Sequence, residues 1–206
     1  MKRLNFLLLI LGMAMFFVSS CDKISDLVNP DINPDETVAK EGNTWSGSAS
    51  GFPEATITVD QNTKGIATFK LNYNNQDYTV TGKISKTKIE DFVYSGGDAS
   101  KGFTLVDFDA KVGDKWEYAI GTEKVTREVI YKSTTDDFYA LGLLLKVTQV
   151  EETIPAGVTI MGYPAQAKKI LWTFNHKFGW VGAEVTKTDN TVIPVYLSYT
   201  NAGSGK

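Results

Sequence analysis

From residue 44 onward, apolar and polar side chains alternate in short runs separated by turn-forming residues. In residues 66–73, Ala67, Phe69, Leu71 and Tyr73 share one parity, while Thr68, Lys70 and Asn72 take the other. Ile57 and Val59 alternate with Thr56, Thr58 and Asp60, and Tyr78, Val80 and Ile84 with Thr79, Thr81 and Lys83. A period of two marks strands that lay one face on a core. Residues 61–65 (QNTKG) and 74–77 (NNQD) have the composition of hairpin turns, and Gly96-Gly97-Asp98 and Lys101-Gly102 bound a further loop. The second half repeats the style in longer runs, at 124–133, 139–154, 169–177, 181–188 and 191–200. In 169–177 the period puts Ile170, Trp172, Phe174 and His176 on one face. Residues 141–145 have helical propensity, but they run directly into Val147-Thr148-Gln149-Val150, and no window of a dozen residues holds a helical period. The pattern predicts an all-β chain: a single antiparallel sheet curved into a barrel or partial barrel, with few or no helices.

The first 43 residues do not share this pattern. Lys2 and Arg3 precede an uncharged apolar run at 6–18, and the small residues Ser19 and Ser20 stand before Cys21. A charged start, a short apolar run and a small-residue end make a secretory signal. The run is too short for a membrane-spanning helix, which needs about 20 residues. Val18-Ser19-Ser20-Cys21 resembles a bacterial lipobox, which implies cleavage before a diacylglyceryl-modified Cys21; the competing reading is a secreted protein with one leftover thiol. Cys21 is the only cysteine of the 206 residues, so no disulfide framework is available. Residues 22–43 are polar and acidic, broken by Pro30 and Pro34, and are expected to be a flexible tether. Asp22 and Asp26 resemble the acidic export signal of surface-exposed lipoproteins in Bacteroidota; as charges they would equally keep a linker solvated. The expected organisation is a signal peptide at 1–20, a lipidated Cys21 with its tether to residue 43, and one β domain at 44–206.

Loss of residues 1–20 would leave 186 residues and move the formal charge from −3 to −5. That mild acidity argues against a nucleic-acid partner or an anionic-membrane surface, both of which require basic clusters. The expected partner is a lipid bilayer, reached through acylated Cys21, and the expected location is the cell envelope, at the outer membrane on its periplasmic or surface-exposed face.

Two tetrapeptides, Gly42-Asn43-Thr44-Trp45 and Gly113-Asp114-Lys115-Trp116, pair turn formers with a tryptophan that starts a strand. They are candidates for equivalent positions in two similar halves. Trp116 and Tyr118 share a parity opposed to Lys115 and Glu117, so their face is expected to be buried. The run 111–118 (KVGDKWEY), then Ile154-Pro155-Ala156-Gly157, then Leu171-Trp172 and Phe178-Gly179-Trp180-Val181 resemble a pattern in uncharacterised secreted bacterial lipoproteins. Two departures are Phe178-Gly179-Trp180, where that pattern has small residues, and Val158-Thr159 after the PAG turn. The resemblance implies a curved sheet or partial barrel similar to lipocalin or lipoprotein-carrier folds, and it supplies no catalytic residue.

Catalytic chemistry is thinly represented. His176 is the only histidine, so a multi-histidine metal site is excluded, and a structural role is expected for it. Ala49 occupies the nucleophile position in Gly47-Ser48-Ala49-Ser50-Gly51, and no helix follows. Asp107, Asp109 and Asp114 lack the spacing of a calcium loop. No catalytic residue, metal ligand or cofactor is expected. Four tryptophans remain to be placed. They could fill a barrel interior, or Trp45, Trp172 and Trp180 could line a cavity for a small apolar molecule or a glycan. The expected function is that of a non-enzymatic, membrane-anchored envelope lipoprotein binding such a ligand. The alternatives are a structural or assembly partner in an envelope complex and a carboxylate-based hydrolase.

Overall fold

Alternation of side chains in strand after strand leaves one apolar face, and that face is buried by curling the sheet on itself. The computed structural model describes residues 37–49, 53–160 and 163–200. Its strands, in chain order, are β1 (Thr44–Ser48), β2 (Ala55–Thr63), β3 (Ile66–Tyr73), β4 (Gln76–Ile84), β5 (Lys88–Asp91), β6 (Phe103–Asp107), β7 (Lys115–Ile120) and β8 (Glu123–Lys132). There follow β9 (Phe138–Ala140), β10 (Leu143–Leu145), β11 (Thr148–Thr153), β12 (Thr159–Ile160), β13 (Tyr163–Pro164), β14 (Ala167–Asn175), β15 (Gly179–Lys187) and β16 (Val192–Thr200). Twelve of these form one sheet, in the order β6-β5-β4-β3-β2-β1-β16-β15-β14-β11-β8-β7; β9–β10 and β12–β13 are separate two-stranded hairpins.

The order is a meander wrapped into a ring. Except for β6 and β7, each main-sheet strand pairs antiparallel with the next main-sheet strand along the chain, and β1 pairs with β16 from Thr44↔Thr200 to Ser48↔Tyr196. The ring is open only between β6 and β7, which are consecutive in the chain. The fold is therefore all-β, a single antiparallel sheet nearly closed into a barrel, as the alternation predicts.

Strand-edge carbonyls at the seam lack a ladder partner and need donors from elsewhere. Two cations on β8 supply them. Arg127 Nη1 donates to the carbonyls of Phe103 (3.1 Å) and Thr104 (3.2 Å) on β6. Lys132 Nζ donates to those of Phe108 (2.6 Å) and Ala110 (2.9 Å) just beyond it. The rings of Phe103 and Tyr118, 5.5 Å apart, close the gap from β6 to β7.

The two glycine turns that precede β1 and β7 are built alike. Gly42 N donates to Val59 O and Val59 N to Asn43 O, at 2.8 and 2.9 Å. Gly113 N donates to Val129 O and Val129 N to Asp114 O, at 2.8 and 3.0 Å. Both glycines have positive φ, at 86° and 95°, where a side chain is disfavoured. Both valines are buried. The tetrapeptide repeat thus marks equivalent turns opening two six-stranded halves, β1–β6 and β7 onward.

Several expectations change at the edges of this plan. Residues 37–43 were expected to belong to the tether, yet they pack on the barrel. Thr37–Ala39 forms a 3-10 turn, Val38, Ala39 and Asn43 are buried, and Asn62 Nδ2 donates to Ala39 O at 3.0 Å. The proposed signal, Cys21 and the rest of the tether lie outside the described residues. Trp116 and Tyr118 do face inward, but they are only half-buried because β7 has no neighbour on its outer edge. His176 leaves the face of Trp172 and Phe174: β14 ends at Asn175, and His176 sits exposed in the following turn. Residues 139–154 are not one strand. Leu141 and Gly142, at φ 55° and 77°, fold the first part into the β9–β10 hairpin.

Both chain ends of the barrel lie at one end, with the turns after β2, β4, β6, β10 and β14. This is called the near end below.

Candidate ligand cavity

Near-end positions on many strands carry bulky apolar residues that point inward, and between them lies a cavity of about 130 Å³. Trp45 and Ile57, direct partners on β1 and β2, form one wall. Phe69, Val80 and Ile84 continue it across β3 and β4. Trp172 and Phe174 on β14 and Trp180 on β15 form the opposite wall. All three tryptophans singled out from sequence therefore border a single space. Polar lining is sparse, contributed by Thr81, Glu90 and Asp91.

Each indole is held by its N–H. Trp45 Nε1 donates to Phe178 O (2.9 Å), Trp180 Nε1 to Gly182 O (2.8 Å) and Trp172 Nε1 to Glu152 Oε2 (2.9 Å). Trp172 and Trp180 meet edge to face, with centroids 5.7 Å apart. Trp180 reaches the cavity because of a β-bulge. Opposite Thr173 and Phe174, β15 shifts register from Gly182 to Trp180, which leaves Val181 unpaired. Val181 packs under the β9–β10 hairpin with Leu145 and Val147, while Trp180 turns inward.

Val38 covers part of the near end. It lines the cavity from the 3-10 turn and rests on the β14–β15 turn. At Gly179, with φ 69°, an added Cβ would lie 2.9 Å from Val38 Cγ1, so only glycine lets Val38 seat this closely.

A buried ionic cluster backs the cavity. Arg127, 2% exposed, and Glu152, 0% exposed, are cross-strand partners on β8 and β11. Arg127 Nε donates to Glu152 Oε2 and Nη2 pairs with Asp91 Oδ2, both at 2.7 Å. Tyr94 donates its hydroxyl to Glu152 Oε1. Val93 N donates to Asp91 Oδ1 at 3.0 Å. The guanidinium lies 4.0 Å from the centroid of the Phe103 ring. Every polar edge of Arg127 is thus engaged by the protein, leaving no cation to meet a ligand carboxylate. Asp91 and Trp172 belong to both cluster and cavity.

Burial of Arg127 by itself would lower its pKa, but the carboxylates of Asp91 and Glu152 reverse this and raise it. Burial raises that of Asp91, and the neighbouring Glu152 adds to the rise against the pull of Arg127. Burial also lifts Tyr94 well above the ordinary phenol range, so it stays a donor. A carboxyl whose folded pKa is raised favours the native state while protonated. That contribution is complete below the unfolded value of about 3.9 and is lost as pH rises through the folded value. Asp91→Asn, which keeps the position neutral, should flatten this descending component of the pH–stability curve. Parallel curves for wild type and variant from about pH 4 upward would show that Asp91 is already ionised there.

The cluster was not anticipated from sequence, although a sign of it was present. Arg127 shares the parity of Val125 and Val129, and Glu152 that of Thr148 and Val150. Asp107 and Asp114 accept backbone N–H bonds within their own turn, from Asp109 and Lys111. Among the described residues, no group of three or more His, Cys, Asp or Glu side chains could hold a metal ion. No helix of the described residues is long and apolar enough to cross a membrane.

No family model matches the chain, and no curated protein matches it. Among solved structures, it is similar to a protein of unknown function from the DUF3598 family of Nostoc punctiforme, with 8% identity and a TM-score of 0.25. The alignment covers 87% of this chain and 53% of that one, so the chain spans about half the length of that protein.

Proposed function

We propose that this protein is a non-enzymatic, lipid-anchored lipoprotein of a bacterial envelope, which holds a small neutral apolar molecule inside its barrel. The barrel interior is compatible with ligand binding, and one observation carries the reading: three tryptophans converge on an apolar space that Val38 also lines. Its volume matches the scale of an apolar cavity of about 150 Å³ that takes up benzene. The ligand, or the part of it that enters, is therefore ring-sized. The lining favours the apolar of the two ligand classes considered above. A glycan needs several convergent polar partners, whereas this wall offers Thr81, Glu90 and Asp91 among a dozen apolar or small residues. With no lining cation and with Asp91 at the wall, an anionic head group is rejected as well.

Titrating the full chain with naphthalene and with 2-naphthoate tests this through tryptophan emission. Naphthalene should give a saturable change, and naphthoate should bind at least about tenfold more weakly, a difference of roughly 1.4 kcal/mol. Equal binding of the two, or no saturable change with either, would overturn the neutral-ligand reading. Native mass spectrometry of protein taken from its own envelope would then identify the natural occupant.

A further inference from the structure

One charged side chain of the buried cluster is not sealed. Arg127 and Glu152 keep 2% and 0% of their side-chain surface, whereas Asp91 keeps 12% and lines the cavity. Thr81 and Glu90 border the same space, but Thr81 has the outward parity of Thr79 and Lys83, and the Glu90 carboxylate turns to Lys83 Nζ at 3.9 Å. Asp91 shares the inward parity of Ile89, another lining residue, so it is the carboxylate that this wall presents.

The neighbouring strand leaves room beside it. Gly82 on β4 is the direct partner of Asp91 on β5, and it lines the same cavity. Val80 and Ile84, which share its parity, both bury apolar side chains, so Gly82 is a gap in a filled row. Its φ is not positive, so the position does not draw on the turn-forming freedom of glycine. An added Cβ would come within 3.1 Å of Glu90 O and 3.7 Å of Phe69 Cε2. A glycine inside a strand often marks a close approach of backbone or ligand. Directly opposed side chains on one face stand about 4.5–5.5 Å apart, so a larger residue at 82 would cover Asp91.

The Asp91 carboxylate can take a further bond. Oδ1 accepts the Val93 N–H at 3.0 Å and Oδ2 meets Arg127 Nη2 at 2.7 Å. Those use two of about four lone-pair sites. Charge points the same way, since Asp91 and Glu152 share a single guanidinium. The cluster therefore welcomes a donor and opposes an acceptor. A second full cation is disfavoured, because it would be stripped of water in an apolar wall and stand next to Arg127. A neutral O–H or N–H meets neither cost.

We propose, resting on the neutral apolar reading of the cavity, that its ligand is a ring carrying one hydrogen-bond donor, a phenol-type O–H or an azole-type N–H, which Asp91 accepts beside Gly82. The ring lies among Trp45, Trp172 and Trp180, and the single donor fixes its orientation. Asp91 is then the residue that sets specificity, because a site built to bond a donor rejects the analogue that lacks it.

Calorimetric titration of the full chain with phenol, anisole and toluene at neutral pH tests this. Anisole is phenol with its donor capped by a methyl, and toluene matches phenol in size without a donor. Phenol should bind at least about tenfold more tightly than anisole, the fold-change that a hydrogen bond to a charged group supplies. Asp91→Leu, which leaves Arg127 paired with Glu152, should abolish that preference while toluene still binds. The wild-type comparison requires no variant, so it decides the matter even if Asp91→Leu does not fold. Anisole binding as tightly as phenol, or a phenol preference that survives Asp91→Leu, would overturn the donor assignment; saturable binding of toluene in the same series would leave the apolar-cavity reading standing. No saturable binding of any of the three would overturn both.

Discussion

Replacing Arg127 with methionine should cost about 3–5 kcal/mol of unfolding free energy, as expected when one partner of a buried ion pair is removed. The loss is large because Arg127 serves two tasks. It neutralises Asp91 and Glu152, which otherwise sit buried beside each other, and it supplies donors to the Phe103 and Thr104 carbonyls at the open seam. A denaturant melt of Arg127→Met measures the sum. Adding Asp91→Leu and Glu152→Leu separates the parts, since exchanging a whole buried ionic group for apolar residues is often neutral or stabilising. If the triple variant recovers most of the loss, charge burial dominated; if it recovers little, the seam carbonyls and the Trp172 N–H did. A cost below about 1 kcal/mol for Arg127→Met would fall within the range of exposed ion pairs and contradict the burial described here.

Trp172→Ala should be the next most damaging change, at about 3–5 kcal/mol for a large aromatic lost from a core. The indole fills the wall between Phe174 and Trp180, and its N–H is one of three donors to Glu152. Trp172→Phe keeps most of the ring and removes one donor while Arg127 Nε stays on Glu152 Oε2, so it should cost about 1.5–3 kcal/mol, the net contribution of a hydrogen bond to a charged group. The two melting midpoints distinguish packing from hydrogen bonding. If Trp172→Ala left the midpoint unmoved, the ring would be a ligand contact alone and not part of the core.

The strands were legible because period two survives in nearly every one of them. Residues 66–73 coincide with β3, and 169–177 lie within two residues of β14. What alternation cannot convey is who faces whom. Arg127 and Glu152 each sit at a core parity, and read singly each looks like an exception; only the β8–β11 register makes them a pair. Trp180 was legible as an aromatic but not as a cavity wall, because its direction depends on a bulge set by the partner strand. Leu141-Gly142 was the missed punctuation in 139–154, where an apolar run hid a turn. Val38 and Ala39 lie in a polar, proline-bearing stretch whose average character concealed two residues that bury.

The seam between β6 and β7 bears on how the chain finds this structure. Within the main sheet, every pairing but one joins strands that follow one another along the chain, so each half can assemble from local contacts. The exception, β1 with β16, brings together the two ends of the barrel and must close a loop spanning nearly the whole described chain. A permuted chain, with residue 200 linked to residue 37 and new ends in the loop between β6 and the Gly113 turn, would turn that distant pairing into a local one and place its termini at the seam, where β6 and β7 share no ladder.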